Sequence, residues 1–141
     1  MTSASFLLRH AALMACALMA AAPVRAEPDI DCGNAASTYE MNECAGRDYE
    51  KVDAELNRVY KAALTAIPEM AVDEPRFNAK SWEAALRASQ RAWIAYRDAE
   101  CDEHVPMSWS GGTGTTVAVI GCKTGLTEER TKALREHYEI K

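Results

Sequence analysis

The chain has 141 residues and carries 16 Lys and Arg against 21 Asp and Glu, a formal net charge of −5 at pH 7. This acidic balance argues against nucleic acid and anionic membranes as partners, because both repel negative charge. It is compatible with a cationic protein partner, although moderate acidity also serves simply to keep an exported protein soluble. The length suits a single domain.

The first 26 residues have the three parts of a secretory signal peptide. A short polar region ends near Arg9, and an apolar run of small residues follows from Ala11 to Ala22. This run is too short to span a bilayer, which argues against an uncleaved anchor. Val24-Arg25-Ala26 supplies the small residues that signal peptidase requires. We therefore predict cleavage of residues 1–26 and a mature protein that starts at Glu27.

A lipoprotein signal is the alternative, with Cys16 as the lipid-attachment residue in Leu13-Met14-Ala15-Cys16. Met14 fits that motif poorly, and few apolar residues precede the cysteine. We therefore expect residues 27–141 to form one periplasmic or secreted domain, with no membrane attachment after cleavage.

The mature chain begins with an irregular lead-in and a long helix. Ser37 and Glu40 have the spacing of a capping box, in which each side chain satisfies a free backbone donor of the other. Apolar residues then recur every three or four positions, as on one face of a helix. They are Ala45, Tyr49, Val52, Leu56, Val59 and Ala63. Pro68 is expected to end this helix.

Two further helices follow. The second is predicted from about Lys80 to Glu103 and is expected to stop at Pro106. Residues 106–116 are rich in glycine and are predicted to be irregular. The last helix is predicted from Val117 to Tyr138. No alternation of apolar and polar residues is long enough to predict a strand, so the predicted class is all-α. The predicted architecture is a small disulfide-stapled bundle made of an antiparallel helical hairpin and a C-terminal helix.

Four cysteines remain after the predicted cleavage: Cys32, Cys44, Cys101 and Cys122. An even number in a short exported chain indicates disulfide bonds, because oxidation is permitted outside the cytosol. Zinc sites usually draw cysteines from close C-x-x-C pairs, and the sequence has none. We therefore expect two disulfides and no metal.

The antiparallel hairpin suggests a pairing. If Cys44 faces Cys101, the same register places Asp48 opposite Arg97, and it also sets apolar residues against each other. This agreement favours the bridges Cys44–Cys101 and Cys32–Cys122, with Arg97 as a partly buried cation in a structural ion pair with Asp48. The pattern Cys32–Cys44 with Cys101–Cys122 stays open, because sequence alone does not determine connectivity.

No catalytic constellation is evident. His104 and His137 have no metal-ligand spacing with other ligands, and Gly111-Gly112-Thr113-Gly114 lacks the lysine of a phosphate-binding loop. No G-x-S-x-G motif is present. We therefore expect a protein that is not an enzyme and needs no cofactor.

Several motifs in order resemble a known family. They are Glu40-Met41-Asn42-Glu43-Cys44, Asp53-Ala54-Glu55-Leu56-Asn57, the segment from Gln90 to Cys101, and Gly121-Cys122 followed by Leu126-Thr127 and Arg130. Over residues 32–138 the chain resembles the lysozyme inhibitor LprI-like family of small exported bacterial domains. The resemblance implies a helical, disulfide-stapled fold and, for some members, inhibition of lysozyme. It identifies no inhibitory residue.

Two functions are therefore considered. The first is a binding protein that inhibits a cationic lysozyme and so protects the cell wall. The second is a structural or accessory envelope domain that binds another protein and has no effect on lysozyme. The candidate contact residues are Ser108, Trp109 and Ser110, because a tryptophan in a long loop suits an interface. Alternatively, Trp109 folds back to cap the helical core.

Overall fold

The computed structural model describes residues 29–141, so the predicted signal peptide, the mature start at Glu27 and the alternative lipid site at Cys16 lie outside the described residues. Within that range all the regular secondary structure is helical and there is no strand, as predicted. The elements are α1 (Thr38–Met70), α2 (Ala79–Asp98), a π-helical segment (Ala99–His104), α3 (Val105–Trp109) and α4 (Thr115–Tyr138).

Helix α1 begins at the predicted capping box. The Glu40 amide donates to Oγ of Ser37 at 3.2 Å, and the Ser37 amide donates to Oε2 of Glu40 at 2.9 Å. The prediction that Pro68 ends the helix is wrong, since α1 continues to Met70. Proline removes only one backbone donor, and so close to the end of the helix that loss is tolerated.

The second helical stretch also continues past its predicted stop. The path from α2 runs through the π-helical segment into α3 without a break, and Pro106 lies in the first turn of α3. A π-helical turn is wider than an α-turn, and the Val105 amide bonds back to the carbonyl of Glu100, five residues earlier. The wider turn accommodates the proline ring, which would clash with a carbonyl inside a regular α-helix.

The glycine-rich segment is shorter than predicted, because residues 105–109 are helical and α4 begins at Thr115. Only Ser110 to Gly114 form a turn. Ser110 and Gly111 have φ values of 48° and 70°, in the left-handed region that reverses the chain. The last helix is one long helix, as predicted.

The three long helices pack in defined directions. Helices α1 and α4 run parallel and lie close together: Tyr49 lies near Lys123, and farther along both helices Glu55 contacts Arg135. Helix α2 runs antiparallel to α1, as the hairpin prediction required. It is also antiparallel to α4, because early α2 meets late α4 through the Trp82–Tyr138 hydrogen bond.

The core lies along the predicted apolar stripe of α1. Its buried residues are Leu56, Val59, Ala63 and Ile67 from α1, Leu86 from α2, and Leu134 and Tyr138 from α4. Thr127 and Thr131 are also buried, which the hydrophobic pattern did not indicate. Oγ1 of Thr131 donates to the backbone oxygen of Thr127 at 2.8 Å. Small threonine and alanine side chains at this contact allow the backbones of α1 and α4 to approach closely.

The four cysteines form two disulfides, but the preferred pairing is wrong. The bonds are Cys32–Cys44 and Cys101–Cys122. Cys32 reaches Cys44 because the lead-in folds back along the first turns of α1. Cys101 reaches Cys122 because the turn after α3 returns α4 along the helix that carries Cys101. The Cys44–Cys101 and Cys32–Cys122 bridges are therefore replaced by bonds between cysteines that are consecutive along the chain.

The predicted ion pair between Asp48 and Arg97 is also absent. Asp48 is exposed and pairs with Lys51 at 2.8 Å. Arg97 contacts Asp98 at 2.8 Å and Asp53 at 3.6 Å instead. The predicted register is wrong here by a few positions, so a different acidic residue of α1 faces Arg97.

Arg97 is nevertheless a largely buried cation, as predicted: 11% of its side chain is exposed. Its guanidinium lies 5.1 Å from the centre of the Trp93 ring and 5.9 Å from that of Tyr49. The flat guanidinium thus joins α2 to α1 through stacking and charge together.

Candidate functional site

The predicted contact residues lie where the chain turns from α3 into α4. Ser108, Trp109 and Ser110 are all exposed. Met107 joins them, with 72% of its surface exposed against 48% for Trp109. We call Met107 and Trp109 the α3 corner. The sequence placed Met107 in the candidate segment 106–116 but did not single it out as a contact residue, because that segment was expected to be irregular and not helical.

Trp109 does not cap the helical core, since it is absent from the buried cluster and its neighbours. Its ring packs on the backbone of Gly114, where an added methyl group would overlap the ring atoms. The Gly112 amide donates to the Trp109 carbonyl at 2.9 Å, which closes the turn. The tryptophan is therefore held in place by its own turn and presents its remaining surface to solvent.

The segment that precedes the α3 corner is acidic. Glu100 accepts a hydrogen bond from His104 at 3.0 Å, and Asp102 pairs with Lys123 at 2.8 Å. Glu103 is exposed and has no ion-pair partner within residues 29–141. It lies one turn before Met107. The corner thus combines exposed apolar area with an uncompensated negative charge.

A second exposed apolar site lies at the other end of α2. A recess of about 500 Å³ is formed by the α1–α2 loop and the start of α2. Met70, Val72 and Phe77 are exposed at this recess. The guanidinium of Arg76 lies 5.5 Å from the centre of the Phe77 ring. We call this surface the loop recess. The sequence predicted only a loop for residues 70–78. The apolar residues Val72 and Phe77 within that loop could have indicated the recess.

Tyr49 is partly buried on α1 beside Arg97 of α2. Burial raises the pKa of the Tyr49 hydroxyl, and the nearby positive charge of Arg97 opposes that shift. In the described part of the chain, no group of three or more His, Cys, Asp and Glu residues is arranged to hold a metal ion. Over the same residues, none of the helices combines the length and hydrophobicity needed to cross a membrane.

Comparison with known proteins identifies the family. The sequence profile of the lysozyme inhibitor LprI family matches residues 31–134, which contain all four disulfide cysteines and the three long helices up to Leu134. The chain belongs to the lysozyme inhibitor LprI family.

Two bacterial relatives of this LprI-family protein are similar in sequence. An uncharacterized protein of Rhizobium meliloti (strain 1021) is 40% identical over 126 residues, which cover 86% of this chain and 89% of the relative. The uncharacterized protein YecT of Escherichia coli (strain K12) is 35% identical over 66 residues, 44% of this chain and 38% of YecT. No solved structure matches the chain significantly.

Proposed function

We propose that this protein is an exported inhibitor of lysozyme. The observation that carries the proposal is the match to the lysozyme inhibitor LprI family over residues 31–134. Two disulfides support a location in the periplasm or outside the cell, because such bonds persist in oxidising compartments. The excess of acidic residues supports a cationic enzyme as the partner.

The proposed contact surface is the α3 corner. Met107 and Trp109 offer large apolar side chains on a turn that is held by the Trp109–Gly114 packing. A preformed aromatic anchor loses little conformational freedom on binding. The unpaired carboxylate of Glu103 would attract a cationic enzyme and speed association. Ser108 and Ser110 beside the ring would supply adaptable hydrogen bonds.

A turbidity assay tests the function directly. Purified mature protein is added to a cationic lysozyme that is clearing a suspension of bacterial cell walls. An inhibitor slows the clearing in proportion to its concentration, and the effect weakens as salt rises because charge attraction is screened. Clearing at the uninhibited rate with a large excess of folded protein would favour the alternative, an accessory envelope domain that binds another protein.

The contact surface is tested with two matched aromatic substitutions. Trp109→Ala removes the ring at the α3 corner. Phe77→Ala removes an exposed ring at the loop recess, about 45 Å away along the helical path. We expect Trp109→Ala to weaken inhibition at least tenfold, as the loss of an interface anchor does. Phe77→Ala should leave it unchanged. The reverse result would place the contact at the loop recess. Inhibition by both folded variants at the level of the unsubstituted protein would exclude both sites.

A further inference from the structure

A third concave surface lies between α2 and α4, away from the α3 corner. It is a groove of about 370 Å³, and the small side chains of Ala85 and Ala133 keep it open. Trp82 and His137 line one end. Ser89 and Arg130 line the other. Seven helical residues separate Trp82 from Ser89, so the groove is about 10 Å long. A cavity of this size accommodates a small organic molecule.

Arg130 is a cation without a counter-ion in this groove. Its Nε donates to Oε1 of Gln90 at 3.0 Å, and its Nη2 donates to Oγ of Ser89 at 3.1 Å. Both partners are neutral. Among residues 29–141 no carboxylate lies within ion-pair distance of Arg130, and its Nη1 makes no hydrogen bond. Partial burial lowers the pKa of the Arg130 guanidinium.

Tyr138 supplies a second free donor in the same groove. Its hydroxyl oxygen accepts a hydrogen bond from Nε1 of Trp82 at 3.1 Å, and within the described chain the hydroxyl proton has no acceptor. Nη1 of Arg130 and the hydroxyl of Tyr138 therefore both lack an acceptor among the described residues, and both residues line this groove.

We propose that this groove binds a carboxylate that carries a compact apolar group. The carboxylate accepts a hydrogen bond from Nη1 of Arg130. The apolar group lies against Trp82 and Leu86, between the two alanines. A planar carboxylate suits a single guanidinium, and its charge compensates the one unpaired cation. A phosphate dianion would require a second permanent cation, and among the described residues the groove lining offers only the titratable His137 besides Arg130.

Two sources supply this chemistry, namely the C-terminal residue of a peptide and a short fatty acid. Titration with N-acetylleucine and with octanoate distinguishes them, and N-acetylleucinamide serves as the uncharged control. The indole Nε1–H resonance of Trp82 in an NMR spectrum reports binding, because that proton is bonded to Tyr138 inside the groove. We expect one of the two carboxylates to bind at least tenfold more tightly than the amide, as measured by titrating this resonance.

The residue assignment is tested with a charge-matched pair. Arg130→Gln removes the groove cation, whereas Lys132→Gln removes an exposed cation of the same helix that is only weakly paired, at 3.9 Å from Glu136. Arg130→Gln should weaken carboxylate binding about tenfold or more, and Lys132→Gln should not change it. If Arg130→Gln does not fold, Ala133→Phe decides the question, because its ring fills the groove from an exposed position and leaves the charge in place.

Three results would overturn the proposal. One is that neither carboxylate shifts the Trp82 resonance. Another is that the amide binds as tightly as N-acetylleucine and octanoate. The last is that folded Ala133→Phe binds like the unsubstituted protein. Lysozyme inhibition is not a readout in any of these experiments, so the groove and the proposed inhibitory function stand or fall separately.

Discussion

Trp82 donates a hydrogen bond from its indole Nε1 to the hydroxyl oxygen of Tyr138 over 3.1 Å, and this bond joins the start of α2 to the last residue of α4. The two rings also lie 6.2 Å apart, and Tyr138 is 7% exposed. The contact therefore fastens the C-terminal end of the chain to the hairpin.

Tyr138→Phe should lower the free energy of unfolding by about 1 kcal/mol, because the ring packing remains while the half-buried indole donor loses its partner. Chemical denaturation monitored by circular dichroism measures the change. Tyr96→Phe is the matched control, since Tyr96 is 55% exposed, and its stability should equal that of the unsubstituted protein. Equal stability of the two variants would show that the Trp82 bond contributes nothing.

The disulfides should differ in their effect on stability. A non-reducing peptide map should show Cys32 joined to Cys44 and Cys101 joined to Cys122. Replacing Cys101 and Cys122 together by alanine should cost about 3 kcal/mol, because that bond closes a loop of 21 residues onto a fully buried sulfur.

Replacing Cys32 and Cys44 together by alanine should cost less. That bond holds a mostly exposed lead-in, which gains freedom in the folded state as well when the bond is lost. Thermal unfolding of both double variants, followed by circular dichroism, shows which variant loses more stability. A larger loss for the Cys32/Cys44 variant would show that the lead-in contributes to the core.

Arg97 is expected to be a structural residue. Arg97→Ala should reduce the free energy of unfolding by about 1–3 kcal/mol, because it removes two ring contacts and leaves Asp98 and Asp53 without their cation. Arg91→Ala provides the comparison, as Arg91 is exposed on the same helix. An unchanged melting temperature for Arg97→Ala would contradict the structural role and make Arg97 a candidate for partner binding.

The capping box should make stability depend on pH at the acid end. The backbone amide of Ser37, followed by the Ala36 amide and the Ser37 hydroxyl, lowers the pKa of Glu40 from its ordinary value of 4.5. A carboxylate with a lowered folded-state pKa contributes its full stabilisation above the ordinary value. That contribution is lost as the pH falls through the lowered pKa.

Glu40→Gln should therefore flatten the fall in melting temperature as the pH drops below the ordinary glutamate pKa of 4.5. Glu50→Gln is the control, because Glu50 is an exposed carboxylate farther along α1 with no hydrogen bond in the described part of the chain. The measurement is the melting temperature of each variant and of the unsubstituted protein as a function of pH. A Glu40→Gln profile parallel to that of the unsubstituted protein would contradict the capping role.

Much of the fold was predictable because it follows from local patterns. The capping box and the stripe through Leu56, Val59 and Ala63 identified α1, and the periodicity of α4 identified one long helix despite its glycines. The predictions that Pro68 and Pro106 end their helices failed for a physical reason. Proline is costly inside a regular helix, but Pro68 lies near a helix end and Pro106 follows a π-helical turn.

The disulfide pairing was not predictable, because it depends on which helix packs beside Cys101. The sequence indicates that α1 and α2 form an antiparallel hairpin, and they do. The apolar stripes do not reveal that α4 also packs on the apolar face of α1, or that Thr127 and Thr131 are buried at that contact. The α2–α4 groove was equally hidden, because Arg130 meets Gln90 only through tertiary packing across 40 residues.

The consecutive pairing of the cysteines bears on how the protein matures. If the chain is exported N-terminus first, Cys32 and Cys44 reach the oxidising compartment together, before Cys101 and Cys122 have emerged. An oxidase that joins cysteines as they appear would then produce both native bonds in order, and no wrong bond would have to be exchanged. The crossed connectivity would instead require a first bond to be withheld or reshuffled. Maturation of this chain should therefore proceed normally in cells that lack a disulfide isomerase.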